Sequence, residues 1–374
     1  MTDKRSIFID GVEQPYSRLT FAEKIAAMNY GLIPGEVSDD DIRTFIEHKT
    51  NLTKTQNWSQ MAMSTAQGGA RLDVAYRGAS FDGRYVYFVA RNSDTFVRFD
   101  TQGVFTAVGD WSQMNMSTAQ GGAEVDVAYR DSCFDGRYVY FVPFNSDTFL
   151  RFDTQGVFTT VGDWDRMNMS TAQGGATLDE AYVDASFDGR YVYYVAHDSD
   201  TFVRFDTQGV FTTAGDWSHM NMSTAQGGAE VDDAYADASF DGRYVYFIPQ
   251  NSDTFLRFDT QGVFTTVGDW DRMNMSTVQG GAELDLAYTG TSFDGRYVYY
   301  VPVDSVTFLR FDTQGVFTNT GDWDRMNTST AQGGAELPAA YSGACFDGRY
   351  VYFVPRDSNS FVRFEAMFSE GQYQ

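Results

Sequence analysis

The segment Phe-Asp-Gly-Arg-Tyr-Val-Tyr begins at Phe81 and returns at Phe134, Phe187, Phe240, Phe293 and Phe346, each time 53 residues further on. Six tryptophans, Trp58, Trp111, Trp164, Trp217, Trp270 and Trp323, keep the same interval. A fixed period of this length restricts the chain to stacked or radial copies of one small unit, since a single copy cannot bury its own apolar face.

Within a copy the pattern is that of strands. In the second, Ala128 to Phe134 reads as a short strand and Asp135-Gly136 as a turn. Arg137 to Pro143 is a β-branched and aromatic run, Asn145-Ser146-Asp147 a polar turn, and Thr148 to Asp153 a third strand. After Thr154-Gln155-Gly156, Trp164 to Met169 supplies the fourth. No part of the unit holds helical apolar spacing over ten residues, which disfavours helical repeats. Runs such as Tyr138-Val139-Tyr140-Phe141-Val142 are apolar on both faces, as in a sheet packed between two others. The expected fold is all-β, a six-bladed β-propeller of four-stranded blades, in which radial packing protects the strand edges.

The ends suit a closed ring. Residues 57–64 match the fourth strand with no first three before them, while Cys345 to Glu365 supplies three strands with no fourth after them. The N-terminal strand is therefore expected to complete the last blade, giving a propeller over residues 51–374. Residues 1–50 lie outside the repeat and read as a helical appendage, with one helix over Thr20 to Tyr30 and a second from Ser38 through His48.

The Asp-Gly-Arg-Tyr-Val-Tyr hairpin, followed by Phe96-Val97-Arg98-Phe99-Asp100-Thr101, resembles the bacterial propeller repeats of the YVTN and TolB kind. This sequence carries Phe81 and its counterparts where those repeats often have Pro. The resemblance implies the fold; those propellers include scaffolds, binding proteins and enzymes, so it implies no single activity.

With 27 basic and 51 acidic residues the formal charge is −24, which repels nucleic-acid backbones and anionic membrane surfaces. A cation or a basic protein surface is the better match. No apolar run approaches a membrane span and the start lacks a leader pattern, so a cytoplasmic monomer is expected. Cys133 and Cys345 occupy equivalent places in non-adjacent copies and read as two small buried residues without a bridge.

Catalysis needs unlike groups gathered at one place, yet the copies are nearly uniform, and His48, His197 and His219 have no histidine at equivalent positions. No Cys or His cluster has zinc spacing. Gln67-Gly68-Gly69 and its five successors read as a tight crossing between blades. The recurring Arg98, flanked by aromatics, needs a partner, for which Asp100 is a candidate. Asp73, Asp126, Asp179, Asp232 and Asp285 precede the first strand and can ring the channel mouth, where Ca²⁺ is the one cofactor considered.

The copies differ at few places. One reads Arg71, Glu124, Thr177, Glu230, Glu283, Glu336; another Val74, Val127, Glu180, Asp233, Leu286, Ala339. A third reads Arg77, Arg130, Val183, Ala236, Thr289, Ser342, and a fourth Arg91, Phe144, His197, Gln250, Val303, Arg356. In a four-stranded meander all four fall at one end of the blade, opposite the uniform Asp-Gly-Arg turn. The expectation is a non-catalytic scaffold that recognises a protein through this face, with Arg71, Glu124, Glu230, Arg77, Arg130, Arg91, Phe144, His197, Gln250 and Arg356 as ligand-binding residues. The alternatives are a lectin-like propeller binding one glycan per blade near Trp111 and Arg137, and a metal-dependent hydrolase or lyase.

Overall fold

The computed structural model describes residues 6–9, 12–15, 59–69, 74–122, 126–176, 179–229, 231–281, 285–333, 339–346, 349–358 and 360–366. Contacts divide the chain into two compact units, Met1–Met61 and Ala62–Gln374.

In the first unit Ser6–Ile9 pairs antiparallel with Val12–Pro15, so Phe8 stands opposite Glu13. The sequence between them, Asp10-Gly11, is of a turn-forming type. The helical reading of the appendage passed over this pair of strands, each only four residues long. The helices expected over residues 20–30 and 38–48 lie outside the described residues.

The second unit contains six antiparallel sheets, each a simple meander. The first is built from Tyr76–Phe81, Tyr85–Ala90, Thr95–Asp100 and Trp111–Asn115. The next four repeat it through Trp323–Asn327, and the last has three strands, Tyr341–Phe346, Tyr350–Pro355 and Val362–Glu365. Each fourth strand runs into a one-turn helix, such as Met116–Gln120, which the strand-only reading missed because five residues are too few to show a helical period. Asn115 caps this turn by accepting from the Thr118 N–H, and Gly121 ends it in a left-handed conformation, φ 72°. The Gln-Gly-Gly segment thus closes a helix turn. Gln120 is buried and accepts from the Tyr129 and Ser146 hydroxyls at 3.1 Å each, tying the crossing to the next sheet.

Aromatic rings bind neighbouring sheets together. Phe96 of the first sheet packs against Phe141 and Trp164 of the second at centroid distances of 4.8 and 5.4 Å, and Trp164 stacks on Phe141. The same triad recurs as Phe202, Phe247 and Trp270, and as Phe255, Tyr300 and Trp323. Ring pairs of this kind add about 0.5–1.5 kcal/mol beyond the area they bury.

The last junction differs. Phe308 meets Phe353 at 4.5 Å, but where the other sheets insert a tryptophan there is a cavity of about 520 Å³, lined by Phe308, Met326, Phe353, Val362 and Phe364 among others. Phe361, the counterpart of the buried Phe308, is 89% exposed. Among the described residues no fourth strand pairs with Val362–Glu365: residues 59–62 are not in a strand, Met63–Ala66 is a helical turn, and Trp58 lies outside the description. Cys133 and Cys345 are free thiols, and Cys345 is exposed where a buried residue was expected.

Candidate binding face and axial pocket

The residue after each second strand hands the chain from one sheet to the next. The His197 N–H donates to the Ala181 carbonyl at 2.9 Å, and the His197 carbonyl accepts from the Ala234 N–H of the next sheet at 3.1 Å. Arg91, Phe144, Gln250 and Val303 make the same two bonds. Variable side chains therefore sit on backbone that is fixed at both ends.

The position just before each of these alanines is strained. Val74, Val127, Glu180, Asp233, Leu286 and Ala339 all have φ between 51° and 55°, a left-handed region costly for residues other than glycine and most of all for β-branched valine. A clamp holds four of them: the N–H groups of Glu180, Asp233, Leu286 and Ala339 donate to side-chain oxygens of Asn145, Asp198, Asn251 and Asp304, at 3.0, 2.7, 2.9 and 2.9 Å. The clamp residues were missed from sequence, although Asn92, Asn145, Asp198, Asn251, Asp304 and Asp357 are uniformly Asn or Asp.

Of the expected ligand-binding residues, Arg71, Glu124 and Glu230 lie outside the described residues. Phe144 and His197 are buried and form part of the face's floor, their rings 5.7 Å apart. Arg130 lies over the Phe144 ring at 4.9 Å. Gln250 is half-buried and Arg356 exposed.

Arg77, Arg91, Arg130 and Arg356 converge electrically, against the acidic balance of the chain. Arg77 is held below the usual arginine range by partial loss of water and then by Arg91 and Arg356, with Asp131 opposing. Arg130 is pushed down to about 10, first by burial and then by Arg77 and Arg91, with Glu180 and Asp233 opposing. Among the described residues none of the four has an ion-pair partner within 4.0 Å.

Beneath them, the first strands of all six sheets line one polar pocket of about 240 Å³, including Arg77, Arg130, Asp131, Asp184, Asp237 and Thr291. The axial position reads Gly78, Asp131, Asp184, Asp237, Gly290, Gly343, so one side of the pocket is acidic and the other bare. A Cβ on Gly78, φ 74°, would stand 2.6 Å from Asp131 Oδ1, so glycine makes room for that carboxylate. Burial, then Asp184, raises Asp131 to about 7; burial raises Asp237 to about 6. Asp184 is raised further by burial and by its hydrogen-bonded neighbour Asp237. These three carboxyls were not singled out from sequence, although a half-ring of Asp facing Gly is visible there.

A mixed cluster joins the third and fourth sheets: ligand atoms of Glu180, His197, Asp198 and Asp233 lie within 4.8 Å of one another. His197 Nε2 is 3.0 Å from Asp233 Oδ1 and Nδ1 is 3.4 Å from Asp198 Oδ1. Burial and then Arg130 lower its proton affinity, favouring the neutral imidazole that a divalent cation requires. The acids considered for Ca²⁺ are placed otherwise: Asp126, Asp179, Asp232 and Asp285 are exposed, and Asp73 lies outside the described residues.

On the opposite face Arg137 pairs with Asp153 at 2.7 Å and lines an open pocket of about 490 Å³ with Tyr138, Arg151 and the next sheet's Thr207 and Gly209. Arg190 and Arg243 line equivalent pockets. The tryptophans do not reach them: Trp164 is buried and donates its indole N–H to the Phe158 carbonyl. Arg98 is not paired by Asp100, which binds Arg84 at 2.6 Å; its guanidinium lies over Tyr85 at 4.0 Å and over Phe158 of the next sheet at 4.8 Å.

No protein-family model matches the sequence, and no curated protein does. Among solved structures, virginiamycin B lyase from Staphylococcus aureus is 11% identical with a TM-score of 0.50, covering 80% of this chain and 87% of that one. The β-propeller domain of Cps50 (Swd1) from Myceliophteria thermophila is 8% identical at TM-score 0.49, covering 78% and 83%. Hsv2 from Kluyveromyces lactis is 12% identical at 0.44, covering 77% and 79%. Likeness at such identity concerns the fold alone. The chain is an all-β propeller of repeated four-stranded antiparallel blades.

Proposed function

We propose that this protein is a non-catalytic binding platform whose variable face takes an acidic segment of a partner protein. The observation that carries the reading is the convergence of Arg77, Arg91, Arg130 and Arg356, without ion-pair partners among the described residues, in a chain of formal charge −24. Gathering like charges opposes folding, and an anion at their centre relieves the repulsion. The pinned backbone beneath supplies rigidity, which lowers the entropy lost on binding. Replacing the four arginines with serine should weaken binding of a Glu-rich peptide by tenfold or more and flatten its salt dependence, whereas Arg190→Ser on the other face should leave it unchanged. Full retention in the quadruple variant rejects the reading.

The sheets are further proposed to close as a six-bladed ring of the YVTN/TolB kind, with the segment around Trp58 as the missing fourth strand. The cavity beside Phe308 and Phe353 supports this, being the place where Trp323 stands one sheet earlier. Trp58→Ala should then cost about 3 kcal/mol in urea unfolding; an unchanged midpoint removes the closure. A lectin-like reading draws on the repeated open pockets around Arg137, Arg190 and Arg243, and a glycan array without a hit counts against it.

A further inference from the structure

Each of the first five sheets carries an arginine in its third strand, clamped between two aromatic rings. Arg151 lies 3.9 Å from the Tyr138 ring and 4.7 Å from that of Phe211; Arg204 lies 4.0 Å from Tyr191 and 4.7 Å from Phe264. The clamp fixes the guanidinium in the same place from sheet to sheet, so the residue opposite it in the fourth strand can be compared directly.

That residue is of two kinds. Arg151, Arg257 and Arg310 face Asp165, Asp271 and Asp324, but Arg98 and Arg204 face Ser112 and Ser218. In the first group the carboxylate accepts from Nε at 2.9 Å and pairs with the terminal nitrogen at 2.7 or 2.8 Å. In the second group, among the described residues, no carboxylate takes its place, and Arg204 Nη1 donates only to the Tyr193 hydroxyl at 3.4 Å. Arg98 and Arg204 are 9% and 8% exposed, and the Nε atom of each is buried with no hydrogen-bond partner. A buried guanidinium lacking a counter-ion is costly, and the other sheets show the group that completes it.

From this internal comparison we propose that Arg98 and Arg204 form two binding sites for a ligand carboxylate, occupying the positions that Asp165, Asp271 and Asp324 fill in their own sheets. Solvent reaches the place a ligand would fill, since those aspartates are 42% to 63% exposed, Ser112 and Ser218 are half-buried, and a pocket of about 500 Å³ reaches Arg204; the buried Nε atoms must become uncovered as the ligand enters. The sites lie toward the Asp-Gly-Arg turns, away from the variable face, and use none of its arginines. Nε and one terminal nitrogen offer a parallel pair of donors, a geometry that matches a carboxylate.

The test is arginine Nε–Hε resonances in the full-length protein, titrated with sodium acetate at constant ionic strength against chloride. A Gly-rich peptide with a free or an amidated C-terminus forms the second arm. Acetate should move the Arg98 and Arg204 signals and leave those of Arg151, Arg257 and Arg310 in place. Ser112→Asp and Ser218→Asp should each silence one response, raising its half-saturating concentration at least tenfold, and Asp165→Ser should make Arg151 a third responder. A response to the free but not the amidated peptide identifies a chain terminus as a second source of the same group. The proposal is overturned when acetate moves none of the five, moves all five alike, or still moves Arg98 and Arg204 in the aspartate variants.

Discussion

Asp198, at the end of the third blade's second hairpin strand, accepts the backbone N–H of Asp233 in the fourth blade at 2.7 Å. The bond crosses between sheets and lands on a residue held at φ 52°. Strain and its restraint thus occur at one point. Asp198→Ala should lower stability by about 1–2 kcal/mol, from the lost bond to a charged acceptor and the strain left unopposed, measured by urea unfolding.

The converse holds where the strained side chain packs against nothing. Val74 is 56% exposed at φ 51°. Val74→Asn should raise the unfolding free energy by about 1 kcal/mol, since Asn tolerates the left-handed region and valine does not. An unchanged or lower urea midpoint shows that the valine pays for itself elsewhere.

The axial carboxyls give a pH dependence with a definite sign. Asp131, Asp184 and Asp237 are all raised in the folded state, so the stability they contribute is complete below about pH 4 and lost as pH rises through about 6 to 7. The melting temperature should fall over that range. Combined Asp131→Asn, Asp184→Asn and Asp237→Asn should flatten the slope; a slope that survives assigns it to other groups.

Two residues that recur in the same turn should separate on mutation. Asp135 Oδ1 accepts the Arg137 and Tyr138 N–H groups at 2.7 and 2.6 Å, and Oδ2 accepts the Tyr140 hydroxyl at 2.7 Å. Arg137 makes a solvent-exposed ion pair. Asp135→Ala should cost about 2–3 kcal/mol in equilibrium unfolding, and Arg137→Ala should leave the midpoint nearly unchanged. Equal losses would remove the distinction.

Trp270 is 4% exposed and touches Phe202 of the preceding blade at 5.3 Å and Phe247 of its own at 5.5 Å. Trp270→Ala should destabilise by about 3–5 kcal/mol, read from the urea midpoint, because the cavity spans two sheets and neither can collapse into it.

Repetition made the blades legible: the third strand of the second copy was read as Thr148 to Asp153, where it lies, and the fourth was misjudged by a single residue because Met169 already begins a helix turn. Periodic patterns report what is shared between copies and bury what is not. The half-ring of Asp131, Asp184 and Asp237 was visible, but its meaning depends on six first strands meeting at an axis. Phe144 and His197 varied as surface residues do, yet both are buried, because variation alone does not tell a binding surface from the floor beneath it. The pairing of Arg98 was misread, since Asp100 is its neighbour along the chain but serves Arg84 across the hairpin.

The backbone bridge at Arg91, Phe144, His197, Gln250 and Val303 uses only main-chain atoms. Any amino acid with an amide hydrogen can make both of these backbone bonds, whatever its side chain. The link between neighbouring sheets is thus independent of side-chain identity at these positions, which is how five different residues come to serve one joint.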